Sequence, residues 1–249
     1  MMKLNCDVAE GFGSWSMGPD SDVMPYIDMA NIACGFHASD PFIMAKTVRL
    51  AKQQGVSVGA HPGYPDLLGF GRRDIVFSHQ EITELLQYQI GALQAICRAQ
   101  GMVVDYVKPH GALYNLMMRD EQVLLTIMKA VAALSADTDA KILPLMVLAN
   151  NKSHEIKQQA EKIGLSILLE AFCDRAYNDD GSLVPRAVEG AVLDDASIEK
   201  RISELVNEKI ITTVSGKKIP IHADTICFHG DSQHALKAVR KIKSLIHQD

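Results

Sequence analysis

One pattern recurs along the 249-residue chain. A short apolar run stops at a loop that opens with a histidine, aspartate, lysine or glutamate. The plainest case is Val103–Asn115, VVDYVKPHGALYN. Its first half is β-branched and aromatic, the composition of a buried strand. Lys108, Pro109, His110 and Gly111 then stand where that strand must stop. Alternate residues of a strand share a face, so a strand that ran on through Pro109 would point Lys108 and His110 the same way.

The same grammar gives further strands at Lys3–Val8, Met29–Cys34, Val56–Ala60, Ile142–Ala149, Ile167–Phe172 and Thr225–Phe228. Helical segments fall between them. Ser39 or Asp40 caps the first, with Pro41 in its opening turn and Gly55 as its stop. Ser78-His79-Gln80-Glu81 has the spacing of a capping box, and its helix runs to about Gln100 before Gly101. Helix is also expected from near Asp120 to Leu134, over His154–Ile163, and on a face made by Ile198, Ile202, Leu205 and Val206. Ser232 would cap a last one, with Leu236, Val239, Ile242 and Leu245 facing inward. Ile210–Ile221 reads as a hairpin turning at Ser215-Gly216. Strand and helix therefore alternate about seven times, the signature of parallel βα units. A closed, roughly seven-stranded, TIM-like (β/α) barrel is favoured over a doubly wound open sheet. In a barrel the polar strand ends converge on one mouth, whereas an open sheet spreads them along an edge. No composition break or fixed repeat divides the chain, so residues 1–249 read as one domain.

Composition excludes several classes of function. With 25 basic and 30 acidic residues the formal charge is −5, and no basic tract is present, so nucleic acid and anionic membrane are not indicated partners. No segment reaches the roughly 18–20 apolar residues of a membrane span, and MMKLNCDVAEG does not read as a signal peptide. The five cysteines are odd in number, scattered and free of CxxC spacing. A reducing, cytoplasmic setting is expected.

The polar strand ends supply the chemistry. Asp7 and Glu10 flank the first loop as a possible carboxylate pair, one orienting and one acting as a base. His37, His61, His110 and His229 each follow a different strand. Histidines with aspartate could hold a zinc-like ion, but their dispersed spacing leaves the metal question open, and HExxH is absent. Lys108 is either a buried amine that stabilises developing negative charge or a nucleophile of lowered pKa. Arg72, Arg73, Arg175 and Arg186 suit two-pronged recognition of a carboxylate or phosphate. Glu170 inside a strand, Asp174 just beyond it and Asp231 after His229 complete the set. Each residue also has an ordinary reading: solvated loop acids and histidines, an ion-paired lysine, surface arginines. Cys6 and Cys34 fall within strands and read as buried filler. Neither a GxxxxGK(S/T) phosphate loop, a GxGxxG fingerprint nor a GxSxG elbow occurs.

Six stretches together resemble the LamB/YcsF family: LNCDVAEGFG (4–13), NIACGFHASDP (31–41), GAHPGYPD with GFGRRD (59–74), VKPHGALYN (107–115), EAFCDRAYNDDGSLVPR (170–186) and FHGD (228–231). Two positions depart from the family pattern: Ser39, where glycine is usual, and Cys173, where alanine is usual. The resemblance implies a (β/α) barrel similar to polysaccharide deacetylases. It also implies cleavage of 5-oxo-L-proline to L-glutamate coupled to ATP hydrolysis, with two further subunits, B and C, that handle ATP. On this expectation Asp7 or Glu10 is the base on water, and His110 with Lys108 stabilises the oxyanion or protonates the leaving nitrogen. His37, His61, Arg72, Glu170, Asp174, Arg175, Arg186, His229 and Asp231 then surround the substrate. Two other classes compete: a metal-dependent carbohydrate or amide deacetylase on the same barrel, and a non-catalytic scaffold protein within the complex.

Overall fold

Seven strands hydrogen-bond side by side, all parallel, and close into a barrel. They are β1 (Lys3–Val8), β2 (Met29–Ala33), β3 (Ser57–His61), β4 (Tyr106–Val107), β5 (Leu145–Leu148), β6 (Ile167–Phe172) and β9 (Thr225–His229), with β9 sealing the ring between β6 and β1. The computed structural model describes residues 2–135, 142–229, 239–240, 243–244 and 246, without the side chains of Ser135 and His229. Helices α1 (Asp20–Val23), α2 (Pro41–Gln54), α3 (His79–Ala99), α4 (Gly111–Arg119), α5 (Glu121–Ser135), α6 (Ser153–Glu161) and α7 (Asp195–Ser203) connect the strands. An antiparallel hairpin of β7 (Ile210–Thr212) and β8 (Lys218–Pro220) precedes the last strand, as its Ser215-Gly216 turn predicts. Among the described residues no helix is long and apolar enough to cross a membrane.

The helix signals act as their chemistry requires. Asp40 caps α2, accepting from the amides of Phe42 and Ile43 at 2.8 and 2.9 Å, and Gly55 ends it in the left-handed conformation. Ser78 and Glu81 form the reciprocal capping box of α3. One expectation fails: α4 starts at Gly111, immediately after the strand end, rather than helix resuming near Asp120. No side chain caps α4 at His110, so the usual start signal is missing from Pro109-His110-Gly111. Asp120 instead caps the following helix, α5, by accepting from the amides of Gln122 and Val123. The predicted Ser232 cap, with Leu236, Ile242 and Leu245, lies outside the described residues.

Inside the barrel, register places Asp7 beside Asn31, Asn31 beside Gly59 and Gly59 beside Tyr106. A Cβ on Gly59 would lie 2.1 Å from the Tyr106 ring. That missing atom lets the ring cross β3, so its hydroxyl donates to Asn31 Oδ1 at 2.7 Å. The outer faces of the strands pack against the helices in one large apolar core that includes Val8, Ile32, Leu86, Leu93, Ile127 and Val147.

Ser39 adopts φ +74° and is buried. That backbone region costs a residue with a Cβ about 1–2 kcal/mol, partly offset by the greater unfolded-state freedom of glycine. Ser39→Gly is therefore expected to stabilise the protein by about 0.5–1 kcal/mol, read as a raised urea midpoint at unchanged slope. A lowered midpoint would show that the serine hydroxyl outweighs the strain.

Candidate active site

The interior of the barrel holds a buried cation. Lys108 is 2% exposed, and its Nζ lies 3.0 Å from both Asp7 Oδ1 and Glu170 Oε2. Asn5 Oδ1 at 3.3 Å and Cys227 Sγ at 3.1 Å complete its surroundings. Burial opposes the charge on Lys108, but the Asp7 and Glu170 carboxylates outweigh it, with the Cys227 sulfur accepting a hydrogen bond, and hold the ammonium well above the ordinary lysine range. A nucleophilic Lys108 of lowered pKa is thus excluded; the residue is an ammonium that neutralises two acids. Asn31 Nδ2 donates to Asn5 Oδ1 at 2.8 Å and Asp7 Oδ1 at 2.7 Å. Asn5 in turn donates to Thr225 Oγ1 at 3.0 Å. Burial pushes the Cys227 thiol well up, so it stays protonated beside the lysine.

Sequence reasoning puts Asn5 on the face of Asp7 but gives no role to Asn31, Tyr106, Thr225 or Cys227. Period-two alternation is the signal that could have found them. Tyr106 precedes Lys108 by two residues and Thr225 precedes Cys227 by two.

Histidines form the next layer. β4 ends at Val107, so Lys108 and His110 do not continue a strand. Lys108 turns down the axis, whereas His110 joins His61 and His37. His61 Nδ1 donates to the carbonyl of Lys108 at 2.7 Å, and His110 Nε2 donates to that of Phe70 at 2.8 Å. Their other nitrogens, His61 Nε2 and His110 Nδ1, face each other at 2.9 Å. His37 stacks on His110 with ring centroids 3.6 Å apart and planes 2° apart. Glu10 Oε1 lies 3.6 Å from both His37 Nε2 and His110 Nδ1, and Asp7 Oδ2 lies 3.3 Å from His61 Nε2. Burial, with His61 beside it, drives His37 well below the ordinary imidazole range. Burial, with His37 and His61, does the same to His110. Gly71 closes the layer: a Cβ there would meet His37 at 2.7 Å and His110 at 2.9 Å.

A cavity of about 560 Å³ opens beside these groups, and Asp7, His61, Lys108 and His110 line it together with Arg72, Arg175 and Arg186. Arg72 stacks on Phe70 at 4.9 Å. Arg175 is partly committed, donating to the carbonyls of Val184 at 2.6 Å and Ala191 at 3.3 Å, and burial lowers it to about 10. Arg73 is taken by Asp66 and does not line this cavity. Glu170 is off the cavity wall and is tied to the site through Lys108, and His37 and Asp174 are likewise buried off that wall. His229 ends β9, but its side chain lies outside the described residues, as does Asp231 altogether. All five cysteines are buried free thiols.

The barrel and its polar centre at the strand C-termini define a TIM-like (β/α) protein with its site where such folds place it. The chain belongs to the LamB/YcsF family, whose model matches residues 2–249. It is similar to a Vibrio campbellii protein named as the A subunit of 5-oxoprolinase, 48% identical over 99% of this chain and 96% of the relative. A Clostridium beijerinckii protein of the same name is 47% identical over 99% of this chain and 94% of the relative. Among solved structures, the "Lactam Utilization Protein" of Thermus thermophilus superposes with a TM-score of 0.88 at 39% identity, covering 99% of this chain and 96% of that one.

The geometry has two consequences for stability. Lys108→Met leaves Asp7 and Glu170 buried without their cation and should destabilise the protein by about 3–5 kcal/mol. Adding Glu170→Gln should restore part of that loss in urea unfolding, and equal losses in single and double variants would contradict the pairing. The second concerns Asp20, which accepts from the Ala9 amide at 2.8 Å and holds the loop between Asp7 and Glu10. Burial raises its pKa from 3.8 to about 6. A raised acid binds its proton more tightly when folded, so its contribution favours folding at low pH and fades as pH climbs from about 4 to 6. Asp20→Asn should therefore gain stability relative to wild type across that window, by an amount on the order of 2 kcal/mol, seen as diverging unfolding midpoints. A constant difference would refute it.

Proposed function

We propose that this chain is a subunit of an ATP-dependent 5-oxoprolinase and opens the lactam of 5-oxo-L-proline. The observation that carries the reading is the name shared by relatives 47–48% identical over 99% of the chain. The site chemistry is compatible with it. Lactam opening adds water across the C–N bond of the ring and yields the amine and carboxylate of L-glutamate. It needs a positioned water, charge stabilisation on the carbonyl oxygen and a proton for the leaving nitrogen. Asp7 lines the cavity and is the base on water, and its Lys108 partner keeps it oriented. His61 and His110 line the cavity beside Asp7 and are the side chains next to the reacting carbonyl group. Arg186, with Arg72, receives the substrate carboxylate. Arg175 braces the loop that carries Arg186, since its donors already meet the Val184 and Ala191 carbonyls. ATP falls to partner subunits B and C, in keeping with a sequence that has no phosphate loop, and the assembly works in the cytoplasm.

The test is glutamate release from 5-oxoproline and ATP in an extract of cells lacking this chain. Adding the purified protein back should restore it, and the His110→Ala variant should restore less than about 1% of it, the scale of loss expected for a group acting in the transition state. Full restoration by the His110→Ala and Asp7→Asn variants would make the chain a scaffold, and no restoration by wild type would end the 5-oxoprolinase reading.

A further inference from the structure

The histidine layer contains a contact that cannot stand as two neutral rings. A carbonyl oxygen only accepts, so His61 must carry its proton on Nδ1 to reach Lys108 O, and His110 must carry its proton on Nε2 to reach Phe70 O. In those tautomers His61 Nε2 and His110 Nδ1 each point a lone pair at the other across 2.9 Å. A cation has to lie between them.

Three further observations describe the cation. Glu10 Oε1 approaches the same point, 3.6 Å from His110 Nδ1, and one donor atom from each of Glu10, His37, His61 and His110 falls within 4.8 Å of the others. Ligands at zinc–nitrogen and zinc–oxygen distances of about 2.0–2.1 Å stand about 3.3–3.4 Å apart at the corners of a tetrahedron, between the 2.9 Å from His110 Nδ1 to His61 Nε2 and the 3.6 Å from His110 Nδ1 to Glu10 Oε1. Both rings also have their second nitrogen fixed to a backbone carbonyl, the arrangement that sets tautomer and aim in metal-binding histidines. Finally, His37 is fully buried, neither of its ring nitrogens has a hydrogen-bond partner among the described residues, and its Nε2 is aimed at the Glu10 oxygen from 3.6 Å.

We propose that His61 Nε2, His110 Nδ1 and Glu10 Oε1 bind one divalent transition-metal ion of the zinc class. Two imidazoles and one carboxylate favour such an ion over magnesium or calcium. His37 is not a fourth ligand: it lies parallel to His110, and one ion cannot sit in both ring planes. It backs the Glu10 carboxylate instead. Three protein ligands leave a position open, and His61 and His110 both line the large cavity with Asp7 beside them. The proposal concerns what the cage holds and stands whichever reaction the cavity performs.

The test uses the full chain, stripped with chelator and titrated with Zn²⁺ and separately with Co²⁺. One ion per chain is expected. The Co²⁺ form should show the visible absorption of a four- or five-coordinate site, and Zn²⁺ should raise the melting temperature. His61→Gln and Glu10→Gln, each first shown to be folded by circular dichroism, should bind at least about 100-fold more weakly and lose the Co²⁺ spectrum, on the scale that ligand-shell changes produce. His154→Gln, at an exposed helical site, should bind as wild type. Failure of wild type to take up either ion would overturn the proposal and assign the His61–His110 contact to a shared proton. Uptake that survives both His61→Gln and Glu10→Gln would overturn it equally, placing the ion elsewhere.

Discussion

A charged ammonium inside a closed barrel constrains everything around it. Lys108 is buried, with only its edge on the cavity, and a lone buried charge costs several kcal/mol even after relaxation. Two carboxylates at 3.0 Å answer that cost, but two acids around one lysine leave an excess of negative charge. Hydrogen-bond donors absorb it: Asn31 gives one N–H to Asp7 and another to Asn5. Tyr106 donates to Asn31 in turn, and the space for its ring exists only because position 59 is glycine. The small residue in β3, the amides of β1 and β2 and the lysine after β4 thus depend on one another, although the sequence scatters them over about a hundred positions.

Asp7 ties this layer to the one above it. Its Oδ1 serves Lys108 and Asn31, while its Oδ2 faces His61. A carboxylate held this way has little rotational freedom, and its second oxygen is fixed toward the cavity side. Ala9, between Asp7 and Glu10, adopts the left-handed conformation at φ +61°, and the two acids meet different histidines. Glu10 meets His37 and His110, and Asp7 meets His61. The loop sequence Asp-Val-Ala-Glu therefore supplies two carboxylates to one cluster.

The fold is legible in the sequence because its signals are local. Asp40, Ser78 and Glu81 cap helices through neighbours two or three residues away, and Leu145–Leu148 is apolar along its own length. Closure of the barrel follows from repetition of those units. The start of α4 is not legible, since His110 supplies no side-chain cap and Gly111 reads as a loop residue. The site is legible as a set of strand-end residues but not as an arrangement. That His61 and His110 touch is decided by β3 pairing with β4, and that Arg73 is bound by Asp66 while Arg72 faces the cavity is decided by one turn of loop. Nothing in the spelling Arg72-Arg73 separates them. Lys108 keeps two opposite readings in the sequence, activated amine or ion-paired ammonium, because the choice depends on whether acids arrive from β1 and β6.

The division between strands and loops also orders the chemistry. Asp7, His61, Lys108 and Glu170 sit on or at the ends of barrel strands, whose hydrogen bonds fix their positions. Arg72 and Arg186 come from long connections, and Arg72 is exposed. Groups that must hold a reacting bond in register gain from a rigid base; groups that recognise an anion from solvent gain from reach and from a local positive field. The chain carries a formal charge of −5, yet its cavity rim presents guanidinium groups, so an anion is drawn to this opening against the sign of the molecule as a whole. Lys108 offsets part of the negative charge of Asp7 and Glu170 within the barrel, and the Asn31 amide hydrogen-bonds Asp7, which lessens their repulsion of an anion at the opening. The buried ammonium thus serves the cavity as well as the fold: on the proposed function, it lets two carboxylates stand near a site that admits a third.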